Sequence, residues 1–252
     1  MANNYTANFN PREYLNEYYL VEPEIEDISV VRFMVEFLRD MPSGLLTLEF
    51  GGGPTLFAEA ALAPKSKEIH FCDYVAASLN EIRLWLDNDP KAFNWDSYIK
   101  LALEEENAPT TPQAIAQRAA EMRRKITLLM ACDALADAPL GRENTVQYDL
   151  VVAQAVTETV SSSVSEWIRV IQNISTLVTP GGWLLISVLT GTAGYYIGDK
   201  LFSCVDLTDD DIRQGYRAAG YNLNTLRLEK LAAPGPRGYS GLTNAVARRK
   251  DD

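Results

Sequence analysis

The segment LLTLEFGGGPTLF, residues 45–57, constrains the fold of this 252-residue chain most strongly. An apolar run closes on Glu49 and breaks into three glycines before a helix-like segment begins. This order predicts a buried strand, a tight turn without side chains and the start of a helix. The glycines allow the backbone to approach a ligand closely, although the same triplet is compatible with a sharp corner that binds nothing.

The strand-then-helix unit recurs along the chain. Apolar runs predict strands at 45–50, 68–73, 125–133, 148–156 and 183–189, and intervening segments predict helices at 55–63, 76–89, 114–124, 165–178 and 209–220. Two more apolar runs, 221–231 and 243–250, follow without a helix between them. The pattern predicts an α/β fold, a doubly wound and mostly parallel sheet with an antiparallel hairpin at one edge.

The domain organisation follows from the same pattern. No repeat or low-complexity linker divides the chain, so we expect a single domain over residues 1–252. Helical segments near 11–20 and 24–40 precede the first strand, and a doubly wound sheet does not require them. We therefore predict an N-terminal helical lid, residues 1–44, over a Rossmann-like core, residues 45–252.

Charge and composition exclude several classes of function. A net charge of −11 disfavours a nucleic-acid partner, which would require a basic surface. No apolar run reaches the roughly 18 residues of a membrane span, and the first residues do not resemble a secretory signal, so we expect a cytoplasmic protein. Cys72, Cys132 and Cys204 are widely spaced, and the single histidine, His70, lies in an apolar run. We therefore expect no disulfide framework and no metal site. The sequence leaves the oligomeric state open, with a monomer favoured.

The residues that follow the predicted strands are the candidates for a binding site, because ligands of open parallel sheets bind at the carboxyl ends of strands. These residues are Glu49 and the glycines after the first strand, Asp73 after the second, Asp133 after the third, and Gln154, Thr157 and Glu158 after the fourth. Taken singly, Asp73 and Asp133 are equally compatible with helix N-caps. Acids at successive strand ends favour a ligand when they are taken together.

The ligand that this set favours contains adenosine and a positive charge but no diphosphate. The dinucleotide fingerprint G-x-G-x-x-G is not met, because its third glycine position holds Leu56. Glu49 would repel a diphosphate and attract an ammonium group. Asp73 can accept hydrogen bonds from ribose hydroxyls, and Asp133 from an adenine amino group. S-adenosylmethionine (SAM) has these features.

The chain resembles a family of small-molecule methyltransferases that includes the nicotinamide, phenylethanolamine, indolethylamine and thioether enzymes. The motifs that carry the resemblance are FNPREYLNEYY (9–19), EFGGGPTLF (49–57), CDY (72–74), WLDNDPKAFNW (85–95), CDA (132–134), LVTPGGWLLIS (177–187), YYIGDKLFS (195–203) and the ending NAVARRK. The first two motifs together are far more specific than the glycines alone. The resemblance implies a class I Rossmann-like methyltransferase with SAM as cofactor.

The resemblance also implies cofactor-binding positions. They are Tyr14 and Tyr19 from the lid, Glu49, Gly51, Gly53 and Thr55 around the methionine end, Asp73 at the ribose, and Asp133 with Ala134 at the adenine. Three cofactor positions depart from the family pattern. Glu49 replaces the usual aspartate, Ser78 occupies a position that often carries asparagine, and Gln154 stands where a small or hydroxyl residue is common.

The positions that match substrate-binding residues of the family differ more. Val188 matches the aspartate that binds nicotinamide, and Thr192 and Cys204 match two substrate serines, so a nicotinamide pocket is not expected. Glu158 matches an acid that faces the substrate amine in the phenylethanolamine enzyme. It is therefore the candidate to orient an amine and to take its proton, although a loop or capping glutamate is an equal alternative.

The resemblance implies methyl transfer to a small-molecule acceptor, with a nitrogen nucleophile favoured. The acceptor would meet the methyl group near Tyr19 and Tyr195, in a pocket lined by Thr192, Tyr196 and Ser203. Two alternatives stay open at this point. A SAM cyclase of the same fold would form azetidine-2-carboxylate and methylthioadenosine without an acceptor, and a non-catalytic adenosyl-binding protein would bind without turnover.

Overall fold

A computed structural model describes residues 5–20, 22–232 and 239–251 of the chain. The strands, in chain order, are β1 (Leu45–Phe50), β2 (Ser66–Asp73), β3 (Ile126–Ala131), β4 (Tyr148–Gln154), β5 (Val178–Thr190), β6 (Gly194–Ile197), β7 (Lys200–Ser203), β8 (Arg227–Ala232) and β9 (Gly241–Arg248). Seven of them form one sheet in the order β3-β2-β1-β4-β5-β9-β8, and β6 pairs with β7 in a separate hairpin. Strands β1 to β5 are parallel, and β9 is antiparallel to both β5 and β8. The predicted parallel sheet with an antiparallel hairpin at its edge is confirmed.

The strand order reverses between β1 and β4, the two central parallel neighbours. Glu49 of β1 is in register with Phe71 of β2 and Val152 of β4. This register brings the last residues of β1, β2 and β4 to the same edge of the sheet. A crevice forms at such a switch point because the connections on either side of it turn to opposite faces.

The helices cover both faces of the sheet. They are α1 (Tyr5–Asn8), α2 (Pro11–Tyr18), α3 (Ile25–Arg39), α4 (Phe57–Leu62), α5 (Ala76–Leu86), α6 (Asp96–Glu105), α7 (Pro112–Lys125), α8 (Val164–Ser175) and α9 (Asp209–Ala218). One apolar cluster contains buried residues of α3 to α7, and the other contains those of α8 and α9. In α8, Trp167, Val170, Ile171 and Ile174 recur at helical spacing and are fully buried against the sheet. No helix within the described residues is long and apolar enough to cross a membrane.

The N-terminal segment has two parts. Helix α3 buries Val31, Phe33 and Met34 and packs against α4, α6 and the strands β8 and β9. Helices α1 and α2 instead bring aromatic side chains over the carboxyl edge of the sheet, where Tyr5 and Tyr14 line the cavities described below. Within the predicted lid, residues 1–44, α1 and α2 therefore cover the carboxyl edge of the sheet, whereas α3 packs against the sheet. Residues 1–4 and 21 of the lid lie outside the described residues.

Several sequence-based element predictions were wrong in detail. Helix α6 was not predicted, because its acidic residues obscured the buried positions Tyr98, Ile99 and Ala102. The hairpin of β6 and β7 was also not predicted. Residues 221–226 form a turn that includes one 3-10 turn at Leu223–Thr225, not a strand. The Asn222 side chain accepts the Asn224 N–H at 3.1 Å, a local bond that competes with strand pairing.

Candidate active site

The loop after β1 forms the floor of the crevice. Gly51 and Gly53 have positive φ angles, 68° and 62°, which favour glycine. The Thr55 hydroxyl donates to the Gly52 carbonyl oxygen at 2.7 Å and closes the turn. A Cβ at Gly52 would lie 2.5 Å from Phe71 Cζ, whereas one at Gly53 would meet nothing within 4 Å. The loop is therefore packed tightly against the sheet at Gly52 and open toward the crevice at Gly53.

Asp73, at the end of β2, connects this loop to the next one. Its two carboxyl oxygens accept the Gly53 N–H at 2.9 Å and the Val75 N–H at 2.8 Å. Burial raises the pKa of Asp73 to about 6, and the Val75 and Gly53 amides oppose that rise. A buried carboxylate held by backbone amides is a fixed acceptor, and lone pairs of the same oxygens remain for hydroxyl donors.

The end of β4 forms the opposite wall of the crevice. Ala155 has a φ of 49°, an uncommon left-handed conformation for a residue with a Cβ, and its N–H donates to the Ser187 carbonyl oxygen at 2.8 Å. Ala155 lies between Gln154 and Val156, which also line the crevice. Among the described residues, no hydrogen-bond donor reaches the buried Gln154 Oε1 atom. An orphaned buried acceptor of this kind fits a ligand that brings its own donor.

Three neighbouring cavities occupy the crevice. The cofactor cavity lies over the glycine loop, and Asp73, Ser78 and Gln154 contribute to its wall. An outer cavity shares Gly51 and Asp73 with it and continues to Asp133 and Ala134 after β3. The third, here named the acceptor cavity, shares six residues with the cofactor cavity and extends toward α3 and β9. The shared residues are Tyr14, Tyr19, Phe57, Gln154, Ala155 and Tyr195.

Aromatic rings from the N-terminal segment close the crevice from above. The Tyr14 and Tyr19 hydroxyls are 3.4 Å apart, and the Tyr19 ring stacks on Phe57 with 6.0 Å between centroids. The Tyr5 hydroxyl is 3.4 Å from that of Tyr195 on β6. Burial raises the pKa of Tyr19 and Tyr195 well above the ordinary value, so both phenols stay neutral. Neutral aromatic rings attract a cation through their faces.

The acceptor cavity also receives two carboxyl groups from the first turn of α3. Glu26 and Asp27 line it together with Val30, Ser187, Leu189, Tyr239 and Leu242. The Glu26 Oε1 atom accepts a hydrogen bond from the Tyr239 hydroxyl at 3.2 Å. Asp27 Oδ2 accepts from the Tyr98 hydroxyl at 3.2 Å and from the Glu24 N–H at 3.0 Å. The cavity is thus aromatic on the side toward the cofactor cavity and acidic on the side toward α3.

The sequence model of the NNMT/PNMT/TEMT family matches residues 1–249. The chain belongs to this family. It is 28% identical to indolethylamine N-methyltransferase of Oryctolagus cuniculus, over 98% of this chain and 95% of that protein. It is 26% identical to nicotinamide N-methyltransferase of Homo sapiens, over 97% of this chain and 94% of that protein. The resemblance read from the motifs is confirmed.

A solved structure supports the fold of this family member independently. Magnesium protoporphyrin IX methyltransferase from Synechocystis PCC 6803, with bound SAM, has a TM-score of 0.58 at 13% identity. The match covers 98% of this chain and 94% of that one, and at this identity it shows the fold alone. The family membership identifies the protein as a SAM-dependent methyltransferase that acts on a small molecule.

The described residues fit SAM as the family cofactor. The predicted cofactor residues that line the cofactor and outer cavities are Tyr14, Tyr19, Gly51, Gly53, Thr55, Asp73, Ser78, Asp133, Ala134 and Gln154. Asp73 would accept from the ribose, and the Gln154 oxygen would accept from the amino-acid end. Their individual contacts to SAM stay predictions, because they rest on position and chemistry.

Glu49 occupies a different position from the other predicted cofactor residues. It is 2% exposed and is not among the residues that line the cofactor cavity. A Cβ at Gly52 would lie 2.8 Å from Glu49 Cγ, so the carboxyl-bearing side chain lies directly beneath the loop. Burial raises the pKa of Glu49 well above its ordinary value, and repulsion from Glu59 of α4 raises it further. No sequence pattern marks Glu59 as a candidate site residue.

Five of the predicted acceptor residues do not line the acceptor cavity. Val188, Thr192, Tyr196, Ser203 and Cys204 are not among the residues that line it. Thr192 forms a local turn, since its Oγ1 atom donates to the Gly194 carbonyl at 2.6 Å and accepts the Gly194 N–H at 2.8 Å. Tyr196 has an exposed ring, and Val188 is fully buried.

Glu158 is also outside the wall of the acceptor cavity. It is fully buried, and its Oε1 atom accepts the Leu189 N–H at 2.9 Å. Burial raises the pKa of Glu158 to about 7, although the Leu189 amide opposes that rise. Its predicted contact with an acceptor amine is untested, but the carboxyl groups that reach the cavity belong to Glu26 and Asp27.

Sequence reasoning missed Glu26, Asp27, Ser187 and Tyr239 as cavity residues. Glu26 and Asp27 were interpreted only as part of a lid helix, where first-turn acids are ordinary because they suit the helix dipole. Ser187 and Tyr239 belong to segments that become neighbours only through the pairing of β5 with β9. A usable signal was the position of the acids immediately after the aromatic FNPREYLNEYY motif, at the start of the first helix that packs on the sheet.

Proposed function

We propose that the protein transfers the methyl group of SAM to a nitrogen atom of a small amine held in the acceptor cavity. The observation that carries this proposal is the cavity itself, which combines the aromatic wall shared with the cofactor cavity and the carboxyl groups of Glu26 and Asp27. Carboxylates attract an ammonium group and accept hydrogen bonds from an amine. The names of the relatives, indolethylamine and nicotinamide N-methyltransferases, also support a nitrogen acceptor.

The main work of the chain in this reaction is alignment. SAM, when bound, supplies an activated methyl group, so the protein has to hold the acceptor nitrogen in line with it and exclude water. The residues Tyr19, Phe57 and Tyr195 line both cavities, so a molecule in one would be a neighbour of a molecule in the other. Their neutral rings stabilise a positive charge without competing strongly as nucleophiles.

Proton removal is the second requirement, because only the neutral amine has a lone pair to attack. We assign this role to Glu26, the acid that lines the cavity and is positioned by the Tyr239 hydroxyl. Asp27 already accepts two hydrogen bonds from Tyr98 and Glu24, so it is less available. Glu158 is the alternative base, and its contact with the Leu189 amide favours a positioning role behind β5.

The setting in which the protein works is part of the proposal. A net charge of −11 favours a free small molecule over a nucleic acid as the substrate. We also propose that it works in the cytoplasm as a monomer.

The reaction is tested by product identification. The purified protein is incubated with SAM, with and without a panel of primary, secondary and heteroaromatic amines, and the nucleoside product is analysed. Adenosylhomocysteine that forms only with an amine is the expected result. Methylthioadenosine formed without an acceptor would show intramolecular cyclisation, and binding without any product would indicate a non-catalytic adenosyl-binding protein.

The acid assignment is tested with a matched pair of variants. Glu26→Gln should lower kcat/KM for the amine by about 100-fold, the usual contribution of a general base, and leave the Kd for SAM unchanged. Glu158→Gln should have a smaller effect on kcat/KM. A larger loss in Glu158→Gln than in Glu26→Gln would return the role to Glu158.

A further inference from the structure

Two buried carboxyl groups lie beneath the glycine loop. Glu49 belongs to β1 and Glu59 to α4, and the two residues are 2% and 1% exposed. The Glu59 carboxyl repels that of Glu49, so the two groups are neighbours. Within the described residues, no hydrogen-bond donor reaches Glu49 Oε2 or Glu59 Oε1, and both atoms are buried. We name these two residues the core acid pair. Unpaired buried carboxyl oxygens are costly, so the pair requires a reason to be there.

The core acid pair lies next to the loop that forms the floor of the cofactor cavity. Glu49 lies directly under Gly52, at the distance given above, and Gly52 lines the cofactor cavity. Gly52 therefore contacts Glu49 on one side and lines the cofactor cavity on the other. In the low dielectric of a protein interior, charges separated by one backbone layer still interact appreciably.

The charges around the pair do not neutralise it. On α7, Arg118 donates to the Ala60 carbonyl and pairs with Glu106 at 2.6 Å, and Lys125 donates to the Ala63 carbonyl and pairs with Glu121 at 2.8 Å. Tyr98 of α6 and Asp27 of α3 bond to each other, and Asp73 and Cys72 of β2 are themselves acids. Arg118 and Lys125 are thus already paired with other acids.

We propose that the core acid pair holds a proton in the ligand-free protein and releases it when the positively charged amino-acid end of SAM binds above the loop. The step breaks one carboxyl O–H bond, passes the proton to solvent and leaves one negative charge on the pair beneath one ammonium group. The inference depends on the cofactor and not on the identity of the acceptor.

The ionisation behaviour of the pair agrees with this assignment. Burial is the largest cause that raises the pKa of both groups, and Glu59 reaches about 8. Repulsion between the carboxyls acts in the same direction on Glu49. Two carboxyls buried together titrate as one unit, so the released proton belongs to the pair rather than to one residue.

The test measures proton release and requires no turnover. Binding of S-adenosylhomocysteine is followed by calorimetry near pH 7.5 in buffers with different ionisation enthalpies, which yields the number of protons released per ligand. We expect about 0.5–1 proton. Asp73, with a pKa of about 6, is already ionised at that pH and contributes little.

A matched ligand and matched variants locate the proton. Methylthioadenosine shares the nucleoside but lacks the amino-acid end, so its binding should release none. Glu59→Gln removes one carboxyl of the pair and its repulsion of Glu49, so it should reduce the release seen with adenosylhomocysteine. Glu158→Gln, which alters a fully buried acid of raised pKa outside the pair, should preserve it.

Two results would overturn the proposal. One is an adenosylhomocysteine binding enthalpy that is the same in every buffer for the wild-type protein, or a proton release that methylthioadenosine reproduces. The other is a release that Glu59→Gln leaves unchanged. The comparison of the two ligands uses the wild-type protein, so it decides the question even where Glu59→Gln does not fold.

Discussion

At the scale of single residues, Gly52 and Gly53 are adjacent in the loop yet have different reasons to be glycine. Gly52 has no room for a Cβ, because Phe71 and Glu49 occupy the space. Gly53 has room for one, but its φ of 62° disfavours other residues and its open side faces the cofactor cavity. The first glycine is required by packing and the second by backbone conformation and ligand access.

This difference predicts that two alanine variants change different properties, mainly stability at Gly52 and mainly ligand affinity at Gly53. Gly52→Ala should lower the free energy of unfolding by about 1–3 kcal/mol, the usual cost of overpacking. Gly53→Ala should cost about 1 kcal/mol of stability from the left-handed backbone, and should weaken binding of adenosylhomocysteine about 10-fold by placing a methyl group in the cavity. Denaturant unfolding and calorimetry measure the two effects. Equal losses of stability and affinity in both variants would contradict the distinction.

The sequence predicted those cavity residues whose place in the fold follows directly from their place next to a strand. Asp73 and Asp133 follow parallel strands, and parallel strands end at one edge, so their shared cavity walls could be anticipated. Glu26 and Glu59 could not be anticipated in this way. An acid on a helix is usually solvated, and its burial depends on how the helix rotates against the sheet.

At the scale of elements, α2 and the hairpin of β6 and β7 together cover the crevice. The Tyr18 hydroxyl donates to the Tyr196 carbonyl oxygen at 2.5 Å, and the Gly198 N–H donates to Glu17 at 2.7 Å. The Tyr195 ring stacks on Phe202 within the hairpin, with 5.5 Å between centroids. These contacts connect a helix near the start of the chain to a hairpin about 180 residues later, which is why sequence patterns did not show the pairing.

The connection predicts different effects for two tyrosine variants. Tyr18→Phe removes the donor to the hairpin and should cost about 1 kcal/mol of stability and raise the KM for the acceptor several-fold, because the cover is held less firmly. Tyr196→Phe keeps the backbone acceptor, and its ring is 44% exposed, so it should change neither quantity. Steady-state kinetics and thermal unfolding of both variants measure this. An increase in KM for Tyr196→Phe would instead support the sequence prediction that Tyr196 contacts the acceptor.

At the scale of the whole molecule, the chain carries several buried acids whose pKa is raised. Asp73, Glu158 and Glu59 reach about 6, 7 and 8 respectively, from ordinary values of 3.8, 4.5 and 4.5. In each case burial is the largest cause. Between the ordinary and the raised values, the folded protein binds these protons and the unfolded chain does not. Stability that is present at low pH is therefore lost as the pH rises through this window.

The ligand-free protein should accordingly be less stable at about pH 8 than at about pH 5.5, by up to roughly 1.4 kcal/mol per group and pH unit. Thermal unfolding across this range measures the slope. Glu59→Gln should make the slope shallower, and saturating adenosylhomocysteine should raise Tm more at the higher pH. A Tm that increases steadily from pH 5.5 to pH 8 would contradict the expectation.

The fold was more predictable from the sequence than the candidate site was. From Leu45 onward the sequence shows apolar runs separated by turn residues. Each run predicts one parallel strand, and each interval predicts the connection to the next strand. Burial of polar residues leaves no such pattern. It emerges only when α3, α4 and β9 are assembled around the sheet.

The wall that the two cavities share limits how this enzyme can change its substrate. Tyr14, Tyr19, Phe57, Gln154 and Tyr195 serve both cavities, so a mutation at any of them alters cofactor and acceptor together. Glu26, Tyr239 and Leu242 line the acceptor cavity and do not line the cofactor cavity. Divergence or engineering toward a new acceptor therefore has its least constrained route through α3 and β9, where charge and volume can change while the cofactor contacts stay as they are.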